Sequence, residues 1–382
     1  MSDCLRIAVL TTGRQDYGVL RSTIQAMHKD SRFDLRLWVG GMHLSHRFGK
    51  SIELIGAENI PISQQLDFQG DPPDSIKDCS RALDLVGEAL VTDSPDALLL
   101  VGDRAETLAA GMAATIGTVP IIHLHGGEET EGAIDNVMRH ALTKLSHLHL
   151  VSHPIYGKRV AQMGEDPRNI VVVGAPGLDN RFRDDLPSIH ELEGFLGLSL
   201  VDPVVLVTMH PTTLNTQSSL SEVLAVSEAM TQVEATYIVT LPNSDAGGAE
   251  IRDYWLNWSQ GRENIVVKEV LGEARYWSLL NCAKVMLGNS SSGMLEGPLA
   301  GVNVVNVGDR QFGRIRNSRI RDVPSNAAEI TKWLMQAIEQ DWVLTDEAED
   351  WDFDSRLVSE RLIEAIVKWD NKTALRKSFH SL

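Results

Sequence analysis

Short apolar runs alternate along the chain with longer stretches that place an apolar residue every three or four positions. The runs at 7–10, 34–39, 97–101, 120–124, 148–151 and 170–173 predict strands in the first half, and those at 204–207, 237–240, 265–267, 284–287 and 302–307 predict strands in the second. Between them, 19–28, 75–91, 106–115, 135–144, 155–163, 220 to about 232, 274–281 and 294–300 read as helices. Strands that are apolar throughout, separated by amphipathic helices, belong to parallel sheets covered on both faces. The two halves also begin alike. Ile7-Ala-Val-Leu10 leads into the polar loop Thr11-Thr-Gly-Arg-Gln-Asp-Tyr-Gly18, and Val204-Val-Leu-Val207 leads into Thr208-Met-His-Pro-Thr-Thr213. The expected fold is therefore α/β, with two doubly wound Rossmann-like domains facing a cleft. The Gly- and Pro-containing segment 174–187 reads as their connection. The acidic stretch 346–354 reads as a solvated linker.

In such sheets ligands bind beyond the carboxyl ends of the strands, so residues that follow a strand carry the functional weight. Charge narrows what those ligands are. The 382 residues hold 35 Lys+Arg against 52 Asp+Glu, a formal charge of −17. That balance argues against a nucleic acid partner on a general basic face, but a few local arginines can still receive a small anion. Cys4, Cys79 and Cys282 are far apart and form no CxxC, which fits a reducing compartment. No apolar run approaches the ~18 residues of a membrane helix, and Asp3 and Arg6 precede the first strand, so a cytoplasmic protein without membrane contact is expected.

The loop after the first strand carries Arg14, placed to reach a phosphate, but it is neither GxGxxG nor a P-loop. Gly102-Asp103-Arg104 follows a strand and puts an acid beside a base; Asp103 reads equally as a helix cap or as a chemical group. In His123-Leu-His125-Gly-Gly-Glu128 the histidines alternate onto one strand face, yet a third metal ligand is not evident and no metal is expected. Asp135 and Arg139, at i, i+4, read as a surface pair or as part of an ionisable cluster with Glu128 and His140. His43 alone reads more readily as a packing histidine than as a catalyst. In the second half His210-Pro211 follows a strand. Gly288-Asn-Ser-Ser-Ser-Gly293 then opens a helix whose free amides and serines suit a phosphate, with Glu296 further along to accept ribose hydroxyls and Arg310 and Arg314 to neutralise a diphosphate.

These motifs, with Gly132-Ala-Ile-Asp135, Arg139-His140 and Pro242-Asn243-Ser-Asp-Ala-Gly247, occur in one order that resembles the hydrolysing UDP-N-acetylglucosamine 2-epimerases of sialic and legionaminic acid biosynthesis. The likeness spans about residues 5–320 and rests on seven motifs, each weak alone. It implies a glycosyltransferase-B-like fold with the first domain over 1–178, rejoined by a returning C-terminal helix at about 357–382, and the nucleotide domain over 179–356. Carried over by position, it implies catalytic acids at Asp103 and Asp135, sugar-site residues at Arg104 and His43, and nucleotide contacts at Arg14, His210, Asn243, Ser290, Ser291, Gly293, Glu296, Arg310 and Arg314. Non-hydrolysing and animal members have Glu where this chain has His125, which leaves the second acid open between His125 and Glu128. The implied reaction releases N-acetylmannosamine and UDP through 2-acetamidoglucal, with no cofactor. The same reaction on the 2,4-diacetamido-2,4,6-trideoxy sugar, a transferase of this fold and a UDP-sugar sensor are the alternatives. Expected partners are the UDP-sugar, UDP and further copies of the chain in a dimer or larger homo-oligomer.

Overall fold

The computed structural model describes residues 4–129, 134–211, 216–242, 247–269, 271–342 and 356–381. The chain divides into two compact units, one of 1–128, 135–179 and 351–382, the other of 129–134 and 180–350. The first unit holds β1 (Leu5–Thr11), β2 (Phe33–Gly40), β3 (Ile62–Leu66), β4 (Ala97–Val101), β5 (Ile121–Leu124), β6 (Leu148–Val151) and β7 (Ile170–Val172). They form one parallel sheet in the order β3-β2-β1-β4-β5-β6-β7. The second unit holds β8 (Val204–Thr208), β9 (Thr236–Thr240), β10 (Ile265–Lys268), β11 (Val285–Gly288), β12 (Asn303–Val307) and β13 (Ile320–Val323), ordered β10-β9-β8-β11-β12-β13. Each order reverses direction once, between β1 and β4 and between β8 and β11, which defines the crevice where doubly wound sheets bind ligands.

Every residue of β4 and of β8 is buried, because helices cover both faces. On one face of the first sheet Leu20, Ile24 and Met27 of the Arg14–Lys29 helix pack with Val9, Leu37 and Leu99; on the other, Val86 and Ala110 pack with Leu98 and Leu100. The α/β pattern expected from the sequence is thus present, with local corrections. The predicted helix at 19–28 starts at Arg14, and the one predicted at 294–300 is two short pieces, a 3-10 turn Ser291–Gly293 and an α-helix Glu296–Leu299. The interruption falls at Leu295 (φ −126°, ψ −70°), and Pro298 has no amide hydrogen to give the Met294 carbonyl, so a continuous helix through this segment is disfavoured. The edge strands β3 and β13 and the helices Ile189–Leu196, Gly248–Trp258 and Ala327–Glu339 were outside the predicted set. The segment 174–187 contains the 3-10 turn Pro176–Phe182.

The Val358–Lys368 helix packs into the first unit. Asp179 accepts from the amides of Val358 (2.8 Å) and Ser359 (2.9 Å), capping the helix from a distant point in the chain, while Leu362, Ile363 and Ile366 enter the core. The following tail is clamped by a buried ionic cluster. Glu165 accepts from Lys377 Nζ (2.7 Å), Lys144 Nζ (2.5 Å) and His149 Nε2 (2.9 Å), and Lys377 also donates to the carbonyls of Lys144 (2.7 Å) and Ser146 (2.6 Å). Burial pushes the Glu165 carboxyl up, but these three donors outweigh it and hold it at about 2. A carboxyl depressed from 4.5 stabilises the fold fully above that value and loses its contribution as pH falls towards 2. Glu165→Gln is therefore expected to cost about 2–4 kcal/mol at pH 7 and progressively less below pH 4.5. Denaturant unfolding at pH 7 and pH 3 checks this, and an equal deficit at both pH values would contradict it.

Candidate active site

In the first unit the polar side chains gather where the strands end. Val101 of β4 pairs with Leu124 of β5, which pairs with Leu150 of β6, so Asp103 and Ser152, two residues past their paired positions, and His125, one past its own, follow the carboxyl ends of three adjacent strands. Gly102 donates to the Leu124 carbonyl (3.1 Å) and His125 donates its amide to the Leu150 carbonyl (3.2 Å). Arg139, almost fully buried in the Asp135–Leu145 helix, forms an ion pair with Asp103. Arg104, not Asp103, holds the N-cap position of the next helix, so Asp103 is an ion-pair partner rather than a cap, and Arg139 is buried rather than part of a surface pair. Asp135 opens the same helix, one turn before Arg139. Arg104 pairs with Glu106.

The strand alternation expected for His123 and His125 ends at Leu124. His123 stays in β5, fully buried, with Nε2 2.9 Å from the Gly102 carbonyl, and burial pushes it down to about 3. His125 instead takes a left-handed backbone (φ 65°), so the two rings do not form a strand chelate. Its Nδ1 lies 2.6 Å from Glu128 Oε1, which also accepts from Ser152 Oγ (2.7 Å). Among the described residues no group of three His, Cys, Asp or Glu side chains is placed to hold a metal.

At the end of β1, Asp16 accepts from the Thr12 amide (3.1 Å) and hydroxyl (2.5 Å), and burial raises its carboxyl against the pull of Arg104. Arg14 donates to the Phe48 carbonyl. His43 is fully buried, with Nε2 2.9 Å from Thr11 Oγ1 and Nδ1 2.7 Å from Ser51 Oγ; burial first, then the Arg14 charge, lowers it to about 3. Both ring nitrogens of this neutral imidazole are spoken for, so it braces the loops around Arg14.

The second unit builds its cluster on the strands that flank the reversal of order. Asn289, fully buried after β11, accepts the His210 amide (2.7 Å) and donates to the His210 carbonyl (2.9 Å), locking the loop after β8 to the loop after β11. The Asn289 carbonyl accepts from Arg310 (3.1 Å) and Gln311 (2.9 Å), which follow β12. Burial, then the Arg310 charge, holds His210 at about 3. Ser290 Oγ accepts the Ser292 amide (3.3 Å), and Ser292 shares a hydroxyl contact with Tyr276, whose own ionisation is pushed up by burial and by Glu296. Glu296 begins its short helix rather than lying further along a continuous one. Arg314 follows β12 with Arg310, and Ser291 and Gly293 lie in the 3-10 turn. Beneath Gly308, Glu222 is raised to about 7 by burial and by Asp309, with Arg310 opposing. Asn243 lies outside the described residues. Asn289, Gln311, Ser152, Tyr276 and Glu222 were not singled out from the sequence. For Asn289 and Ser152 a usable signal existed, a polar residue directly after an apolar strand.

Two doubly wound parallel units, each with its polar groups collected at strand carboxyl ends, define a glycosyltransferase-B-like α/β enzyme. The chain belongs to the UDP-N-acetylglucosamine 2-epimerase family, whose model matches residues 25–367. It is 33% identical over 326 residues to the GDP/UDP-N,N'-diacetylbacillosamine 2-epimerase (hydrolyzing) of Campylobacter jejuni, covering 84% of this chain and 85% of that one. It is 30% identical over 368 residues to the UDP-N-acetylglucosamine 2-epimerase of Neisseria meningitidis, covering 94% of each. The crystal structure of a UDP-GlcNAc 2-epimerase from Neisseria meningitidis bound to UDP-GlcNAc shares the fold, with a TM-score of 0.81 at 14% identity over 96% of this chain and 100% of that chain. No helix among the described residues is long and apolar enough to cross a membrane.

Gly288 ends β11 at φ 136°, and a Cβ there would sit 2.0 Å from the Thr208 carbonyl oxygen. Gly288→Ala is expected to destabilise the protein by about 2–4 kcal/mol, because the two strands that carry Asn289 and His210 must separate. A thermal melt checks it; an unchanged midpoint would contradict the close approach.

Proposed function

We propose that the protein is a hydrolysing 2-epimerase that converts UDP-N-acetylglucosamine and water to N-acetylmannosamine and UDP. The observation that carries the reading is the pairing of Val101 with Leu124, which brings Asp103 and the His125–Glu128 pair out at adjacent strand ends in a chain of this family.

The reaction explains the choice of groups. The C2 proton of a 2-acetamido sugar is too weakly acidic for simple removal at neutral pH, but its loss becomes feasible when UDP leaves from C1 in the same step. Asp103 takes that proton, and the C2–H electron pair forms the double bond of 2-acetamidoglucal while the C1–O bond breaks towards UDP. Arg310 and the serine turn at 290–292 stabilise the diphosphate as its charge grows, with neutral His210 as a hydrogen-bonding neighbour. Water then adds at C1 while an acid drawn from Asp135, Glu128 and His125 protonates C2 from the opposite face, which inverts that centre. Arg14, Arg104 and His43 shape the surroundings, and Asn243, Ser291, Gly293, Glu296 and Arg314 join the nucleotide contacts. We propose a cytoplasmic homo-oligomer as the working form.

A second substrate is favoured by a specific observation. Relatives from Campylobacter jejuni and Legionella pneumophila, each 33% identical, are named as hydrolysing N,N'-diacetylbacillosamine 2-epimerases. That sugar differs only at C4 and C6, remote from the bonds that break.

Incubation with each UDP-sugar separately, without an acceptor, should release UDP and a free 2-epimeric sugar from one of them, as read by NMR. UDP binding without release, or release only when an acceptor is added, would refute the epimerase reading. Asp103→Asn should lower kcat by about 10²–10⁴-fold and leave UDP affinity within about twofold. Near-normal turnover would remove Asp103 from the chemistry. Arg310→Ala should weaken UDP binding by about tenfold or more, measured by calorimetry, and unchanged affinity would remove it from the nucleotide site.

A further inference from the structure

The proposed reaction leaves the group that protonates C2 undecided among three side chains, and the hydrogen bonds around Glu128 separate them. Glu128 is buried, and one of its oxygens, Oε1, receives both Ser152 Oγ at 2.7 Å and His125 Nδ1 at 2.6 Å. A carboxylate oxygen so engaged faces inward to its two neighbours, and its natural work is to hold a ring in one orientation rather than to meet a substrate. His125 is partly exposed, and its backbone sits in the left-handed region, an unfavourable state that persists only where the surroundings enforce it. The His125 amide is tied to the Leu150 carbonyl of β6, and Gly127, itself at φ 77°, gives its carbonyl to Arg159 (2.6 Å). Among the described residues, the charged and titratable groups around this turn include His123 in β5, His149 in β6, the Asp103–Arg139 pair after β4 and Arg159 in the helix Pro154–Gln162.

The geometry points to Ser152 as a positioning residue that acts through Glu128 to fix the neutral His125 ring with its proton on Nδ1, leaving Nε2 as the atom that exchanges a proton with C2 of the sugar. This rests on the 2-epimerase reading. After UDP has left, solvent protonates Nε2 to give the imidazolium; in the hydration step that proton passes to C2, the C1–O bond forms from a water whose own proton goes to solvent, and Asp103 likewise releases to solvent the proton it took from C2. Glu128 stays ionised throughout and compensates the transient ring charge. The final state is the Nδ1–H ring on Glu128, as in the resting protein. Glu128 and Ser152 thereby act on the sugar only through His125, and His125 meets the substrate where non-hydrolysing and animal members of the family carry Glu.

The test is a long-range proton–nitrogen NMR spectrum of the full-length protein with ¹⁵N-labelled histidine and no substrate, His125 being assigned with His125→Gln. The expected result is the Nδ1–H tautomer for His125 in the wild type, a mixture of tautomers in Ser152→Ala, and a kcat lowered roughly tenfold in that variant with KM unchanged. Ser152→Thr, which keeps the hydroxyl, should recover both the tautomer and the rate. An Nε2–H ring in the wild type would overturn the proposal, as would Ser152→Ala with normal kcat. Because the tautomer is read without substrate, the two readings fail separately. A protein with the Nδ1–H ring that releases no UDP from either UDP-sugar would refute the epimerase reading alone.

Discussion

The chemistry proposed for the first unit depends on the register of three neighbouring strands. With Val101, Leu124 and Leu150 in line, the three strands end as neighbours, and Asp103 and Ser152, two residues beyond their paired positions, and His125, one beyond its own, follow adjacent strand ends. A slip of one residue in any of the three would turn its terminal side chain to the opposite face. The register is held by what lies behind it. Leu98 and Leu100 point to one face and Leu99 and Val101 to the other, and both faces are closed by helices. Moving β4 along its neighbours would therefore break two cores at once. The same logic governs the second unit, where Asn289 clips the loop after β8 to the loop after β11 and presents its carbonyl to Arg310 and Gln311.

Burial sets the charge states on this frame. His43, His123 and His210 are held at about 3, so all three are neutral at physiological pH. Each nonetheless sits near cations or hydrogen-bonding loops that matter to the proposed reaction. Neutral rings add no charge of their own, so in the proposed reaction the positive charge offered to the diphosphate comes from Arg310 rather than from an imidazolium. Glu222 shows the converse. It is raised to about 7 beside Asp309, so near neutrality it carries only part of a charge against Arg310. A protein of net charge −17 can in this way offer an anion a locally favourable surface.

Much of this was legible in the chain itself. The fully apolar strand at 97–101 coincides with β4, because a strand buried on both faces has no polar alternation to blur its limits, and 148–151 coincides with β6 with His149 as its one polar residue. The edge strands β3, Ile62-Ser-Gln-Gln-Leu66, and β13, Ile320-Arg-Asp-Val323, escaped for the same reason reversed: half-solvated edges carry polar residues that hide the run. The candidate site was legible as positions after strands, which pointed to Asp103, His125, His210 and the serine turn, and the structure puts each of them just beyond a strand. Its wiring was not. Arg139 reaches Asp103 across 36 residues of sequence and Ser152 reaches Glu128 across 24, and neither spacing is periodic in a helix or a strand. The left-handed turn at His125 was equally hidden, since it occurs at a residue other than glycine.

The central claim is that these strand-end groups remove and replace the hydrogen on C2 while UDP leaves from C1. Turnover of UDP-N-acetylglucosamine in D2O, followed by NMR, tests it most directly. The expected result is free UDP and N-acetylmannosamine in equal amounts, with one deuterium at C2 of every product molecule. An epimeric product that retains its original C2 hydrogen, or UDP release that leaves C2 unexchanged, would contradict it.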